Sequence, residues 1–237
     1  MKRVLGIRAA VREAKEQRDI WRIGAFDGPV GGGGGVGGGD GFNVHRRVEM
    51  ETRQVRAQYE KQLKAHEQAG VTSAFRSISK EERLYFTECA LIGGNPLHLQ
   101  FKIQVHKSEI PDSYWPNCQF TFEALFEEGK YPAEPPHVTC KTPIYHPNIA
   151  DTTAKAPGEV CITLLKAGWR PNATLFEIIE SIFITQFQDP NGNDPLPECQ
   201  EAADLLLSNK EEFRKRAKSH AERNKTFIPG SEEHRRW

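Results

Sequence analysis

"LHLQFKIQV", residues 97–105, alternates without a fault. Leu97, Leu99, Phe101, Ile103 and Val105 fall on one side, with polar residues between them. That period of two is the mark of a β-strand with one dry face. Working outward, "QFTFEALF" (119–126) repeats the pattern with Phe120, Phe122, Ala124 and Phe126. "HVTCK" (137–141) reads as a third, shorter strand. Pro111 and Pro116 lie in the first connection, and Pro132, Pro135 and Pro136 in the second, as turns require. Connections this short predict an antiparallel meander.

Beyond residue 170 the period changes to that of helices. "TLFE" (174–177) is a capping box, Thr at the cap and Glu three residues on. Leu175, Ile178, Ile179, Ile182, Phe183 and Phe187 then form a broad apolar face. "ECQEAADLLLSN" (198–209) predicts a second helix with Ala202, Leu205 and Leu206 inward. "NKEEFRKRAKSHAERN" (209–224) predicts a charged closing helix anchored by Phe213 and Ala217. Upstream, residues 44–71 are highly charged, with a thin stripe of Val48, Val55, Tyr59 and Leu63, which predicts a largely solvated helix along one edge. Thr72 and Ser73 could cap a further helix running to about Leu84, with Phe75 and Ile78 inward. Strands and helices are segregated along the chain, so the fold class is α+β, an antiparallel meander sheet flanked by an N-terminal helix and C-terminal helices.

The 237 residues carry 32 basic and 32 acidic side chains, 38% hydrophobic residues and five scattered cysteines. The charge balance gives no support for a nucleic-acid or membrane-surface partner. No apolar run approaches the roughly 18–20 residues of a membrane span. The first residues lack the apolar core of a secretory signal, and Glu13, Glu16 and Asp19 speak against a transit peptide. An odd cysteine count without a signal fits a reduced intracellular protein. The expected divisions are a basic segment 1–26, a Gly-rich linker 27–43, the charged helix 44–71, a folded domain 72–224 and a tail 225–237.

Between strands and helices lies "YHPNIADTTAKAPGEVCITLL" (145–165), a His-Pro-Asn turn thirteen residues ahead of Cys161. A thiolate is a strong nucleophile and a good leaving group, so it suits an enzyme that carries an acyl group as a thioester. Such chemistry needs a donor for the oxyanion, and the Asn148 amide could serve. Pro147 stiffens the turn and restricts His146 before it. Three other readings compete. The cysteine could be a small loop residue without a chemical role. A zinc site could draw on His137, Cys140, His146 and Cys161, although the first two point to opposite faces of a strand. A papain-like Cys–His pair would need an orienting motif that is not present.

"YPAEPPHVTCKTPIYHPNI" (131–149), "GEVCITLLKAGWRPNATL" (158–175) and "QDPNGNDPL" (188–196) together resemble the ubiquitin-conjugating enzyme family in order and spacing, over residues 72–224. The resemblance implies that Cys161 is the thioester-forming nucleophile, that Asn148 stabilises the oxyanion or organises the loop, and that His146 and Pro147 are structural. Asp194 matches the acidic residue that orients and deprotonates the incoming lysine, with a helix cap as its plain alternative. Thr163 sits where family members carry Asp or Asn. Pro132, Pro135, Trp169 and Pro171 resemble the two ligase-contact loops, and Ala133 replaces the Phe of many ubiquitin-specific members. "VTCKTPIYHPNI" and "DPLPECQEAADLLLSNKEEF" resemble most the neddylation branch, which conjugates the cullin-modifying ubiquitin-like protein. "MKRVLGIRAAVREAKE" resembles that branch's N-terminal tail, so Val4, Leu5 and Ile7 are candidates for docking on the activating enzyme. The implied partners are a ubiquitin-like modifier, its activating enzyme, a RING-type ligase and a cullin-like substrate. The implied location is cytoplasm and nucleus, with no cofactor or metal of its own, ATP being used by the activating enzyme. Ubiquitin is the alternative modifier, and a non-catalytic variant of the fold is the alternative class. The stretch from 149 to 160 is longer than the family norm, so "ADTTAKAP" is expected to protrude from the surface.

Overall fold

The structure, a computed structural model, describes residues 43–71, 86–107, 110 and 112–228. Four expectations therefore lie outside the described residues: the tail carrying Val4, Leu5 and Ile7, the Gly-rich linker, the helix from Thr72 to Leu84, and the last residues of the C-terminal tail.

Four strands form one antiparallel sheet in chain order: β1 (Phe86–Ile92), β2 (Asn95–Val105), β3 (Cys118–Leu125) and β4 (His137–Cys140). The alternation read in β2 and β3 is the alternation of burial. Leu97, Leu99, Phe101, Ile103, Val105, Phe120, Phe122, Ala124 and Phe126 are all buried. Phe101 and Phe122 face each other across the ladder and stack with ring centres 5.4 Å apart. β1 was not foreseen. It is an edge strand, Leu91 is exposed, and it carries two register shifts, so the period of two is broken. Gly93 and Gly94 turn it into β2 with Ile92 paired to Asn95, both glycines at positive φ (59° and 73°). That is the two-residue hairpin that Gly-Gly favours.

α1 (Val44–Val71) packs on α2 (Leu175–Ile182) and on β1 and β2. The expected thin stripe is wider than foreseen: Val44, Val48, Val55 and Tyr59 are buried, and so are Glu51, Thr52 and Gln62. The polar members hid this width in the sequence. The helix belongs to the same hydrophobic core as the sheet. Glu51 shows why a carboxylate is tolerated there. It accepts hydrogen bonds from the Tyr131 hydroxyl (2.6 Å), the Leu175 backbone N–H (2.9 Å) and the Arg47 guanidinium. A carboxylate at the start of α2 also meets the positive end of that helix.

The Thr174–Glu177 capping box is present, both halves of it. Leu175, Ile178, Ile179, Ile182, Phe183 and Phe187 are buried as the spacing predicts. The helix widens into a π-helical segment, Phe183–Gln188, and Phe187 there stacks on Phe120 at 4.9 Å. α3 (Gln200–Ser208) buries Ala202, Ala203 and Leu206, while Leu205, expected inward, is half-buried. α4 (Lys210–Asn224) closes the fold with Phe213, Ala217 and Ala221 buried. Among the described residues no helix is long and apolar enough to cross a membrane.

Candidate active site

The backbone around Cys161 hangs from the end of β4. Cys140 N–H donates to Gly158 O (2.8 Å), and Thr139 bridges Glu159. Residues 148–150 then run antiparallel to 159–161. Ile149 bridges Val160, Ala150 N–H donates to Glu159 O (2.9 Å), and Cys161 N–H donates to Asn148 O (2.8 Å). The two chain segments that carry the candidate chemistry are thus locked in register, whatever the stretch between them does. Gly158 makes the close approach possible. Its φ is +73°, and a Cβ there would meet Cys140 O at 2.1 Å.

His146 is buried and has both ring nitrogens engaged. Nε2 donates to Gln186 O (2.8 Å), and Nδ1 accepts from the Asn148 backbone N–H (2.9 Å). One nitrogen donating and the other accepting defines a single neutral tautomer. Trp115 stacks on the ring at 4.7 Å. Burial without a counter-charge pushes the imidazole down to about 3. Such a ring braces the turn and cannot serve Cys161 as a base, so the papain-like alternative fails on geometry. The zinc alternative fails too. His137 is exposed, while Cys140 is buried with its thiol against Thr142 O (3.3 Å). Among the described residues no cluster of three or more His, Cys, Asp or Glu could hold a metal.

Asn148 is buried, and its side chain reaches across to the loop before α3. Nδ2 donates to Asp194 O (2.8 Å), and Oδ1 accepts from Asn191 N–H (3.2 Å). Leu196 N–H donates to Pro147 O (3.1 Å), a third tie between the turn and that loop. In this conformation both faces of the amide are spent on residues 191–194. Asp194 is brought to the same turn by its backbone, with its side chain exposed. The helix-cap alternative for Asp194 does not hold, because Leu196 occupies the N-cap position of the following turn.

Of the five cysteines, Cys161 alone is not buried. Burial pushes Cys118 and Cys140 up to about 12 and Cys199 up to about 11, so those thiols are poor nucleophiles at neutral pH. Cys161 borders a small apolar shelf of Ala150, Leu196 and Cys199, to which Ala154 also packs. Its Sγ accepts a hydrogen bond from Lys166 Nζ (3.3 Å), and the same ammonium lies 3.6 Å from Glu159. Thr163, two residues on, is exposed at the start of a 3-10 turn (Thr163–Leu165).

Sequence reasoning missed Gln186. Its side-chain amide donates to Cys161 O (3.3 Å) while its own carbonyl holds His146, so one residue joins the thiol's backbone to the turn. The signal was a lone glutamine between Phe183 and Phe187 on an apolar helix face, where a buried polar group needs partners. The widened π-helical turn places it, as such turns often do at functional sites.

The longer stretch after Asn148 is anchored rather than a free protrusion. Ala150 is buried, and Asp151 pairs with His220 of α4 (2.9 Å) while its other oxygen accepts from Thr153 N–H and Oγ1. Only its outer residues, Thr153, Lys155 and Pro157, are exposed. The two loops expected to meet a ligase lie side by side. Trp169 Nε1 donates to Pro132 O (2.9 Å), Pro132 and Pro135 are half-buried, and Ala133 and Pro171 are exposed. An open cleft of about 520 Å³ adjoins them, lined by Asn43, by Val44 and His45 of α1 and by residues 128–133.

A family model described as "Ubiquitin-conjugating enzyme" matches residues 77–221, well over half of the chain and the whole of this site. The chain belongs to the ubiquitin-conjugating enzyme family. Among its relatives, a Nedd8-conjugating enzyme of Drosophila melanogaster is 35% identical over 121 residues, 51% of this chain and 60% of that protein. A NEDD8-conjugating enzyme of Bos taurus is 30% identical over 170 residues, 65% of this chain and 88% of the relative. A probable ubiquitin-conjugating enzyme of Arabidopsis thaliana is 37% identical over 94 residues, 40% of this chain and 56% of that protein. The chain spans less than two thirds of the fly and Arabidopsis relatives. The α+β ubiquitin-conjugating fold expected from the sequence is the fold described above.

Proposed function

We propose that this chain accepts a ubiquitin-like modifier from its activating enzyme as a thioester on Cys161 and transfers it to a substrate lysine. The observation that carries this reading is the one cysteine thiol that is not buried, fixed by a backbone hydrogen bond to the residue whose amide orders the neighbouring loop. Cys161 is the nucleophile. Asn148 orders residues 191–194 and, when the amide is released, can turn toward the oxyanion. Asp194 lies on that loop and orients the incoming amine, while His146 and Pro147 hold the turn. Thiol exchange and aminolysis of a thioester need no cofactor or metal in this chain, ATP being consumed by the activating enzyme.

The modifier is NEDD8, in keeping with the names that the fly and bovine relatives carry. Val4, Leu5 and Ile7 dock on the NEDD8-activating enzyme. A RING-type ligase contacts Pro132, Pro135, Trp169 and Pro171, and the acceptor is cullin-like. The work is done in cytoplasm and nucleus. Ubiquitin is the second reading, favoured by the name of the Arabidopsis relative and tested in the same assay. The chain is charged with NEDD8 and with ubiquitin in parallel, each with its own activating enzyme and ATP. A thiol-sensitive adduct with NEDD8, at least about tenfold faster than with ubiquitin, is expected for a 1.4 kcal/mol preference. Equal or reversed rates would overturn the choice of modifier, and no adduct with either would overturn the function.

A further inference from the structure

The long stretch between Asn148 and Cys161 is the part of the site that the proposed function leaves without a role. The 148–161 pairing and the close approach at Gly158 already hold the two segments in register, so residues 151–157 are not needed to keep Cys161 in place. They are nevertheless folded down and fastened. Ala154 N–H donates to Asp151 O (2.9 Å), and Thr153 N–H and Oγ1 donate to Asp151 Oδ1 (3.0 and 2.9 Å). The other carboxylate oxygen, Oδ2, is shut off from solvent and meets Nε2 of His220, on α4, at 2.9 Å. The Asn224 side-chain nitrogen lies 2.9 Å from His220 O and 3.3 Å from His220 Nδ1. By donating to Nδ1 it leaves the ring proton on Nε2, the nitrogen that faces the carboxylate. Burial holds this imidazole below its ordinary value, with Asp151 opposing and Arg223 adding to the effect, so the ring is neutral at pH 7.

What this clasp holds down is Ala154. Together with Ala150, Leu196 and Cys199 it makes the apolar shelf against which Cys161 packs. A thioester carbonyl carbon is one bond from Sγ, so the shelf covers it on that side. Keeping water from a reactive intermediate prevents its loss by side reaction.

We propose that His220 is a positioning residue: through Asp151 it holds residues 151–157 against the shelf, so that Ala154 shields the Cys161 thioester from water. This role rests on the acyl carriage proposed above for Cys161. The reaction held back is hydrolysis. A water oxygen bonds to the carbonyl carbon, and the C–S bond breaks. One water proton passes to the departing thiolate and the other to solvent, leaving a free carboxylate and a regenerated thiol. His220 acts on the wall beside the sulfur, not on the sulfur. Hydrolysis through an opened wall scales with the population that is open, and loss of one partly exposed pair of this kind raises that population about two- to fivefold.

The test uses the full chain and an acetylated hexapeptide ending in glycine, supplied as its mercaptoethanesulfonate thioester. Exchange acylates Cys161, the one cysteine that is not buried, and gel filtration removes the excess reagent. Hydrolysis is followed at pH 7 as the return of the unmodified mass, per molecule acylated on Cys161. Opening of the wall is followed separately as hydrogen exchange of the Ala154 amide, read by NMR. His220→Ala should hydrolyse about two- to fivefold faster than wild type, with Ala154 exchange quickened by the same factor. Asp151→Asn should do the same: it keeps an oxygen for Thr153 and turns an NH2 toward the ring N–H, so it reads the contact even if His220→Ala folds poorly. The double variant should be no faster than either single one, because both remove one contact. His220→Gln, whose amide N–H can replace the Nε2–H, should return hydrolysis to the wild-type rate, which a merely packing role would not do. Wild-type hydrolysis in both single variants would overturn the inference. So would faster hydrolysis with unchanged exchange at Ala154, or a His220→Gln rate equal to that of His220→Ala. Each of these outcomes leaves Cys161 acylated and sinks this inference alone, whereas a thiol that never becomes acylated removes the acyl-carrier reading with it.

Discussion

Replacing Asn148 by alanine separates the two roles a single amide could play. The side chain makes two hydrogen bonds to the 191–194 loop, Nδ2 to Asp194 O and Oδ1 from Asn191 N–H. A buried hydrogen bond contributes about 1 kcal/mol net, and removing one partner can cost more when the other is left dry. Asn191 and Asp194 are both exposed, so water can reach the groups set free. The loss should therefore stay near the lower bound, about 2 kcal/mol. At about 2–4 °C per kcal/mol for a chain of this size, the melting temperature should fall about 4–8 °C. More directly, the Asn191 amide should exchange with solvent about thirtyfold faster, since 2 kcal/mol corresponds to that ratio. Native-state hydrogen exchange read by NMR or mass spectrometry on residues 189–196 measures it. Charging of Cys161 should persist while transfer to lysine slows. Unchanged exchange at Asn191 with slowed transfer would refute the loop-organising argument and place the amide at the reacting carbonyl instead.

Three further outcomes follow from the same geometry. His146 is held neutral down to about 3, whereas an unfolded histidine takes a proton near 6.5, so stability present above pH 6.5 is lost as the pH falls toward 3. The loss from this group should reach about 2 kcal/mol at pH 5, read as a shift in urea midpoint, and an NMR titration showing the ring protonating near 6.5 in the folded state would contradict it. Glu51→Ala leaves Tyr131 OH and Leu175 N–H without their acceptor and Arg47 with only its bond to Ala173 O, and should cost about 3–5 kcal/mol in urea unfolding, where a change below 1 kcal/mol would show the network to be incidental. Gly158→Ala forces a Cβ toward Cys140 O and strains a positive φ, so it should slow charging of Cys161 and lower the melting temperature, and a variant with wild-type values for both would mean that the 148–161 register does not depend on that approach.

What the sequence made legible was whatever has a period or a fixed chemistry. β2 and β3 alternate because one face is dry, and Thr174–Glu177 is a cap because its two side chains satisfy each other's backbone donors. The His-Pro-Asn turn and Cys161 could be singled out for the same reason, since proline geometry and thiol chemistry are local properties. β1 escaped because an edge strand with register shifts loses the alternation, although Gly93-Gly94 marked its turn. The full buried face of α1 escaped because Glu51, Thr52 and Gln62 are polar, and only tertiary partners make their burial tolerable. Gln186 and the direction of the Asn148 amide escaped for a related reason: which partner a polar side chain selects depends on residues 25 to 46 positions away.

Everything proposed for this chain requires that Cys161 carry the acyl group. Intact-mass measurement of the protein after incubation with activating enzyme, ATP and modifier, followed by peptide mapping, tests it most directly. One modifier on Cys161 is expected, removed by dithiothreitol, replaced in Cys161→Ser by an oxyester that survives dithiothreitol but not alkali, and missing in Cys161→Ala. A thiol-sensitive adduct of undiminished yield in Cys161→Ala would contradict it.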